Sequence, residues 1–319
     1  MAAEASELAA GVGDVSPREE LLQQLRPVSF AIAYRMLGSV AEAEDVVQEA
    51  LLQVHQALEA GEPVASPRAL VATVTTRRAI DALRSARVRR EQYVGEWLPE
   101  PIITDSSDDP AQQAEMADSL SLAMLVLLER LSPEQRAVLL LHEVFDYRYP
   151  EIAAILGKRE DNVRQLATRA RRHLQQRRPR FQTTRQQREE LARRFFAAVE
   201  HGDLSGLEAL LAHDVELTGD GGGKVPALAR TLRGRSRVAR TLLDWARLAS
   251  RAPGGSLRPV EVNGGPGALY LDPRQRLLAV VAFEVAGGQI TGIGAIVNPD
   301  KLTHLGPVGD FGSLLGSAR

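Results

Sequence analysis

The sequence predicts a multidomain protein in which two all-α helical domains, the second with a helix-turn-helix, precede an α+β domain. Three observations support this prediction. Apolar residues recur at helical spacing through the first half of the chain, a helix-glycine-helix pattern centres on Gly157, and alternating apolar runs follow Asp214. Helices followed by strands, without strict alternation, favour an α+β arrangement. We expect domains at residues 17–94, 111–178 and 187–303, with a linker at 95–110 and a tail at 304–319.

The composition excludes several classes of protein. The chain has 319 residues, enough for two or three domains, and 44% of them are hydrophobic, which excludes wholesale disorder. It has no cysteine, which excludes disulfides and thiolate metal sites. The absence of cysteine is consistent with a protein of the reducing cytoplasm. Neither a signal peptide nor an apolar run of about 20 residues is present. We expect a cytoplasmic protein that needs no membrane, metal or other cofactor.

The formal net charge of −2 averages over segments of opposite sign. Arginines dominate residues 68–90, and cations also dominate residues 158–185, whereas residues 91–134 are mostly acidic. Two basic segments separated by an acidic connector indicate two surfaces that face a polyanion. Two solvated helix faces would produce the same pattern, so charge alone leaves both interpretations open.

The first helical domain shows its helix boundaries and an acidic ridge. Ser39 follows Gly38 and begins a capping box, and Ser66 precedes a proline at the first helical position. Between residues 41 and 58 the apolar residues form one stripe. A second face carries an acidic and polar ridge, made of Glu42, Asp45, Glu49 and Gln53. Such a ridge is either a docking surface or a solvated face.

The second helical domain contains the helix-turn-helix. Residues 151–157 form a short helix that ends in glycine, and a tight turn leads to a cation-rich helix over residues 161–174. Side chains at the start of such a helix reach base edges in the major groove, where Asn, Gln and Arg form bidentate hydrogen bonds. We therefore predict that Asn162, Arg164 and Gln165 read bases. Contacts to phosphates are predicted for Lys158, Arg169, Arg171 and Arg172, and Thr168 is a further DNA-contacting candidate.

The last block mixes helices and strands. Helices are predicted at residues 190–201, 204–212 and 236–249, and strands at 215–218, 267–271, 277–285 and 289–297. The segment 95–110, rich in proline and acidic residues, reads as a linker.

Specific segments of the helical half resemble bacterial sigma factors, the subunits that give RNA polymerase its promoter specificity. Residues 33–39 and 43–50 resemble the core-polymerase-binding part of the second conserved sigma region, and residues 79–84 resemble the helix that faces the −10 promoter element. The helix-turn-helix resembles the fourth region, which reads the −35 element. Order and spacing resemble the extracytoplasmic-function (ECF) sigma factors, which keep only these two regions.

The resemblance implies roles for individual residues. Contacts to the polymerase clamp helices would come from Asp45, Gln48 and Glu49, and contacts to the −10 element from Arg77, Arg78 and Arg84. The partners implied are core RNA polymerase and promoter DNA, and no catalytic activity is implied.

The C-terminal block resembles the cone-shaped, SnoaL-like α+β fold at residues 195–204 and 210–215. Three short sequences, at residues 97–101, 220–224 and 298–302, are similar to those of ECF sigma factors with a fused SnoaL-like domain. The resemblance implies regulation in cis without a separate anti-sigma factor. The interdomain residues implied are Trp97, Pro99, Asp220, Gly222, Lys224, Asn298, Asp300 and Lys301.

A specific docking follows from these segments. Trp97 stands among charged and proline residues and needs an apolar surface to cover its ring. We expect residues 97–101 to dock near the glycine turn 220–224, with Lys224 paired with Glu96 or Glu100.

Two other functions remain open. A stand-alone helix-turn-helix regulator would sense a small ligand in the C-terminal pocket, although it would not explain the likeness over residues 33–50. An enzyme on the SnoaL-like fold could use four acids or bases, although no spacing converges them. These are His201, His213, Asp214 and Glu216.

Overall fold

The computed structural model describes residues 16–61, 63–104, 120–175, 184–250 and 254–310. The predicted acidic linker positions 105–110, the basic residues 177, 178 and 180, and the tail residues 311–319 lie outside the described residues. The described part of the first half is helical, with α1 (Pro17–Leu37), α2 (Val40–Glu59), α3 (Pro67–Glu91), α4 (Leu122–Leu128), α5 (Pro133–Glu143), α6 (Tyr149–Leu156) and α7 (Glu160–Gln175).

Local sequence sets the ends of these helices. Gly38 ends α1 in the left-handed conformation, at φ 67°, which glycine adopts without steric cost. The next residue, Ser39, caps α2 by accepting a hydrogen bond from the Glu42 amide at 3.2 Å. At α5 the capping box is complete, because Ser132 and Gln135 bond each other's backbone amides. The helix starts are therefore encoded over four-residue windows.

The two helical units share one hydrophobic core. Leu37 of α1 and Ile80 of α3 belong to the same buried cluster as Leu125 of α4 and Leu140 of α5. A polar contact reinforces the junction, because the buried Arg136 donates from Nε to the Arg35 carbonyl at 3.2 Å. The units are thus held together by core packing as well as by the chain that connects them.

Over the described residues between 184 and 310, the C-terminal domain is a six-stranded sheet with three α-helices. Its strands are β1 (Leu211–Asp220), β2 (Leu232–Arg233), β3 (Ser256–Val262), β4 (Gly265–Leu271), β5 (Leu277–Ala286) and β6 (Gln289–Ile296), in the order β2-β1-β6-β5-β4-β3. The β1–β6 pair is parallel and the other pairs are antiparallel. The helices are α8 (Arg185–Glu200), α9 (Leu204–Leu210) and α10 (Arg235–Ser250). The predicted fold class, helical units followed by an α+β domain, is confirmed.

Both faces of this sheet are covered. Phe283 and Val285 on β5 pack against the domain's own helices. The alternate residues Val280 and Ala282 face the other side, in a cluster with Leu98 and other residues from outside the domain. Burial on both faces explains why β5 is apolar along its length, whereas a one-sided strand would alternate.

Three details of this domain differ from the sequence prediction. The helix predicted at 204–212 ends at Leu210, because β1 begins at Leu211 instead of Val215. The short strand β2 was not predicted. The edge strand β3 was missed because its exposed residues 256–259 lack alternation and include Pro259, which only an edge strand tolerates.

Candidate nucleic-acid interface and interdomain junction

The helix-turn-helix consists of α6 and α7. Gly157 ends α6 with φ 62°, and α7 begins at Glu160 after two intervening residues. Val163 and Ala167 of α7 are buried against Ile152 of α6, which fixes the rotation of α7 about its axis. The outward face carries the predicted DNA-contacting side chains, of which the exposed ones are Asn162, Arg164, Gln165, Thr168, Arg169 and Arg172.

Several cations on this surface have partners inside the chain. Arg164 donates from Nε to Glu160 at 3.0 Å and lies 4.8 Å from the centroid of the Tyr149 ring. Arg171 bonds Glu143 at 2.8 Å, and Lys158 lies 3.1 Å from Glu134. Ion pairs on or near the surface, as these are, contribute little to stability.

The three arginines implied for the −10 element face acceptors within the protein. Arg77 of α3 donates from Nε to the Ile155 carbonyl at 2.7 Å, and it also bonds the Ala154 carbonyl at 3.3 Å. These are terminal carbonyls of α6, where a cation is favoured. Arg78 lies 3.4 Å from Glu49, and Arg84 lies 3.0 Å from Asp81 and 3.5 Å from Glu134. Helix α3 therefore packs directly against the helix-turn-helix unit.

The residues implied for polymerase binding lie on α2. Asp45, Gln48 and Glu49 are exposed, while the intervening positions of the helix are buried in the core. Leu52 follows on the same side of the helix and is 55% exposed, which is unusual for a large apolar side chain. The surface is accessible in this structure.

A buried ion pair joins the segment 97–101 to the C-terminal domain. Asp220 at the end of β1 is fully buried, and one carboxylate oxygen accepts from the Leu98 amide at 2.8 Å and from Lys301 at 2.6 Å. The Lys301 ammonium also bonds the Leu98 carbonyl and lies 4.4 Å from the centroid of the Trp97 ring. That ring reaches α1 on its other side, where a Cβ on Gly38 would stand 2.9 Å from it. Trp97 therefore lies between the first helical unit and the C-terminal domain.

The glycine turn leaves room for this contact. A Cβ on Gly222 would stand 2.2 Å from the Asn298 side-chain nitrogen and 3.0 Å from the Tyr93 hydroxyl, so the position requires glycine. Asn298 donates to the Tyr93 hydroxyl at 2.9 Å, and that hydroxyl donates to Asp220 at 2.5 Å. The turn, residues 298–301 and Tyr93, two residues after α3, thus form one hydrogen-bonded unit.

The prediction that Lys224 pairs with Glu96 or Glu100 was wrong. Lys224 pairs with Asp300 at 2.5 Å, within the C-terminal domain. Glu100 instead caps α2, accepting from the Ser39 hydroxyl at 2.7 Å and the Val40 amide at 2.7 Å. The amides at the start of α2, which have no partner within the helix, and the positive end of its dipole attract the carboxylate. No pattern in the sequence indicated that the start of α2 would compete with Lys224 for Glu100.

A second junction lies at the β3–β4 turn. Asn263 is 1% exposed and has φ 52°, and its amide donates to the Ile102 carbonyl at 2.8 Å. Its side-chain oxygen accepts from the Ile102 amide at 3.0 Å. Its side-chain nitrogen donates to the Tyr34 hydroxyl at 2.7 Å and to the Leu120 carbonyl at 3.0 Å. Sequence analysis missed this residue, although Asn263-Gly264 is a strong two-residue hairpin signal.

Further contacts bind the linker in an extended form. Ile103 forms an antiparallel bridge with Val262, and Thr104 donates its amide to the Glu261 carbonyl at 3.0 Å. The linker thus extends the sheet beyond the edge strand β3, as in recognition by β-strand addition. Nε2 of His304 lies 2.7 Å from the Pro101 carbonyl oxygen. Because a carbonyl oxygen can only accept a hydrogen bond, this ring nitrogen is the donor.

Burial shifts the pKa of three groups at these junctions. Desolvation raises the pKa of Tyr34 and that of Tyr93, so both hydroxyls stay protonated and can donate. Desolvation also lowers the pKa of Arg35 to about 10. That guanidinium remains charged near neutrality and lies 5.6 Å from the centroid of the Phe145 ring.

The four residues considered for an enzyme lie on the surface of the C-terminal domain. His201, His213, Asp214 and Glu216 are all exposed, and Glu216 pairs with Arg233 at 3.0 Å. A cleft beside Asn263 and Glu284 is also lined by Ser121, Leu122 and Arg188. Among the described residues no cluster of potential metal ligands exists, and none of the helices described is long and apolar enough to cross a membrane.

Comparisons with known proteins agree with this organisation. The families described as Sigma-70 region 2 and Sigma-70, region 4 match residues 21–89 and 121–174. The chain is 37% identical to ECF RNA polymerase sigma factor SigJ of Mycobacterium tuberculosis, over 91% of this chain and 93% of that protein. It is 34% identical to the probable ECF sigma factor SigI of the same organism, over 86% and 91% of the two chains. The crystal structure of SigJ superposes with a TM-score of 0.72, covering 91% of this chain and 99% of that one.

Proposed function

Because the chain belongs to the extracytoplasmic-function family of RNA polymerase sigma factors, we propose that its C-terminal domain regulates it in cis by holding regions 2 and 4 in a closed arrangement. Sigma factors bind core RNA polymerase and promoter DNA, and they direct promoter-specific initiation. Under this proposal the fused domain does the work of a separate anti-sigma factor.

The contacts to polymerase and DNA are assigned to exposed surfaces. Core polymerase binds α2 through Asp45, Gln48 and Glu49. Region 4 reads the −35 element through Asn162, Arg164 and Gln165 at the start of α7, because side chains there reach base edges. The remaining cations of α7 hold phosphates and make the affinity salt-dependent.

The observation that carries the closed arrangement is the contact between α3 and α6. Arg77, assigned to the −10 element, bonds the Ile155 carbonyl of the helix-turn-helix at 2.7 Å. The two promoter elements are centred roughly 25 base pairs apart, or about 85 Å along B-form DNA. Helices in direct contact cannot occupy both elements at once. The arrangement is therefore a resting state that must open before initiation.

The C-terminal domain supplies the restraint through the linker. Leu98 is buried in the sheet cluster together with Leu122 of α4, so the same apolar face holds the linker and region 4. Opening exposes that face and breaks the contacts of Lys301 with Leu98. A ligand or partner that favours the open state by a few kcal/mol suffices to shift such an equilibrium, and core polymerase is the partner we assign.

The test measures the separation of the two regions. Because the chain has no cysteine, Gln56→Cys on α2 and His173→Cys on α7 provide unique labels at exposed positions outside the proposed contacts. We expect one short separation in the free chain and a longer one after core polymerase is added. The same short separation in the polymerase complex would refute the closed resting state.

A matched pair of variants tests the restraint itself. Lys301→Met removes an ammonium that contacts the linker, whereas Lys224→Met removes one that pairs with Asp300 on the same domain. We expect Lys301→Met to increase the open population and the affinity for core polymerase, and Lys224→Met to leave both unchanged. Equal effects would place the regulation elsewhere.

A further inference from the structure

We infer that Asn263 is a latch that pins both ends of the connection between region 2 and region 4 to one point and releases them together. This inference rests on the proposed cis regulation and names a residue through which it operates. It concerns the β3–β4 turn, which shares no residue with the ion pair of Asp220 and Lys301.

The position of Asn263 is unusual for a hairpin turn. A two-residue turn normally projects into solvent, but this one is buried among three other segments, with Asn263 only 1% exposed. Its φ of 52° falls in the left-handed region, which asparagine tolerates better than most residues. Glycine would adopt the same backbone but would lack the side chain, and aspartate would lack the two donors.

The side chain of Asn263 joins the two ends of the connection. Its oxygen accepts from the Ile102 amide at 3.0 Å, and its nitrogen donates to the Leu120 carbonyl at 3.0 Å. Seventeen residues separate these two anchors, and a fully extended chain of that length spans about 60 Å. While both anchors bind one side chain, none of that reach can separate region 2 from region 4.

The same side chain contacts region 2. Its nitrogen donates to the Tyr34 hydroxyl at 2.7 Å, and that hydroxyl donates to the Glu100 carbonyl at 2.7 Å. The Glu100 carboxylate in turn caps α2, the helix assigned to polymerase binding, through the Val40 amide at 2.7 Å. A shift of α1 and α2 upon polymerase docking therefore strains bonds that also hold Ile102 and Leu120. Asn263 is thus a positioning residue that couples docking to release of the connection.

The experiment uses the full chain labelled at positions 56 and 173. Asn263→Gly removes the side chain and keeps the left-handed backbone, and Gln275→Gly is its control. Gln275 also has a positive φ, of 58°, in a turn of the same sheet, but it is exposed. Each of three lost hydrogen bonds changes an equilibrium by roughly threefold. We expect about a thirtyfold rise in the ratio of open to closed chains for Asn263→Gly, and none for Gln275→Gly.

A second variant guards against a general loss of folding. Tyr34→Phe removes one hydroxyl on region 2 and leaves the turn intact. It should shift the ratio in the same direction, and the double variant should fall short of the product of the two single effects, because they share a bond. An unchanged ratio in Asn263→Gly, or effects that multiply fully, would overturn the latch. If Lys301→Met opens the chain while Asn263→Gly does not, the latch fails and the cis restraint stands. If opened chains bind polymerase no better than the parent, the proposed function itself fails.

Discussion

Replacing Lys301 with methionine separates docking of the linker from folding of the C-terminal domain. The methionine keeps the length and apolar stem of a side chain that is 6% exposed. It removes the ammonium that bonds the Leu98 carbonyl and lies 4.4 Å from the Trp97 ring centroid. Both of these contacts cross from the domain to the linker, whereas the bond to Asp220 lies within the domain.

The magnitude follows from the contacts that cross the junction. A hydrogen bond from a charged donor contributes about 1.5–3 kcal/mol, and a desolvated cation–π contact contributes about 1–2 kcal/mol. With a loss of roughly 3 kcal/mol in docking, the undocked fraction of the linker rises by about two orders of magnitude. The lone Asp220 carboxylate adds a separate cost to folding, because an unpaired buried charge is strongly destabilising.

Hydrogen exchange measures the two effects independently. The amides of Leu98, Ile102 and Thr104 donate to the C-terminal domain, so exchange of residues 97–104 reports docking, while β5 reports folding of the domain. We expect exchange in the linker to accelerate about a hundredfold more than exchange in β5. The double variant Asp220→Asn/Lys301→Met should keep fast linker exchange and recover protection of β5, because no lone charge remains.

Two results would refute this reasoning. Unchanged exchange of residues 97–104 in Lys301→Met would mean that the ammonium does not hold the linker. Equal acceleration in the linker and in β5 would mean that the ion pair stabilises the domain and affects docking only through it.

Three further predictions follow from the proposed function. The free chain should bind promoter duplex weakly and the holoenzyme firmly, as gel-shift titrations would measure; nanomolar binding without polymerase would favour a stand-alone regulator. Gln165→Ala should change which −35 bases are tolerated, at a cost of about 1–3 kcal/mol in binding at one position. Arg172→Ala should weaken binding to all sequences alike and make the affinity less dependent on salt. The same uniform loss of affinity in both variants would refute the assigned orientation of the helix. Gly294→Ile should open the chain in the distance measurement, because a Cβ there already stands 3.4 Å from Leu98 and Leu122, and a normal separation would show that this contact does not hold the closed state.

The sequence allowed prediction of features that depend on neighbouring residues. The helix-turn-helix follows from an apolar period and one glycine, and the structure buries Val163 and Ala167 as that period requires. The fold class followed from helices succeeded by strands. The edge strand β3 escaped because its outer residues are exposed and carry no alternation, so no local signal marked it.

Sequence by itself thus determined the helix caps, the turn glycines and the chemistry of the exposed faces, because each depends on residues a few positions apart. Only the tertiary structure decided which distant residues bond to the helix ends and pack against the exposed faces. Glu100 bonds the start of α2 and not Lys224, because the α2 amides are a better partner for the carboxylate than an exposed ammonium. Asn263 and Tyr34 are 229 residues apart in the sequence. A hydrogen bond over that distance leaves no periodic pattern, because it depends on how the first helical unit and the C-terminal sheet pack against each other.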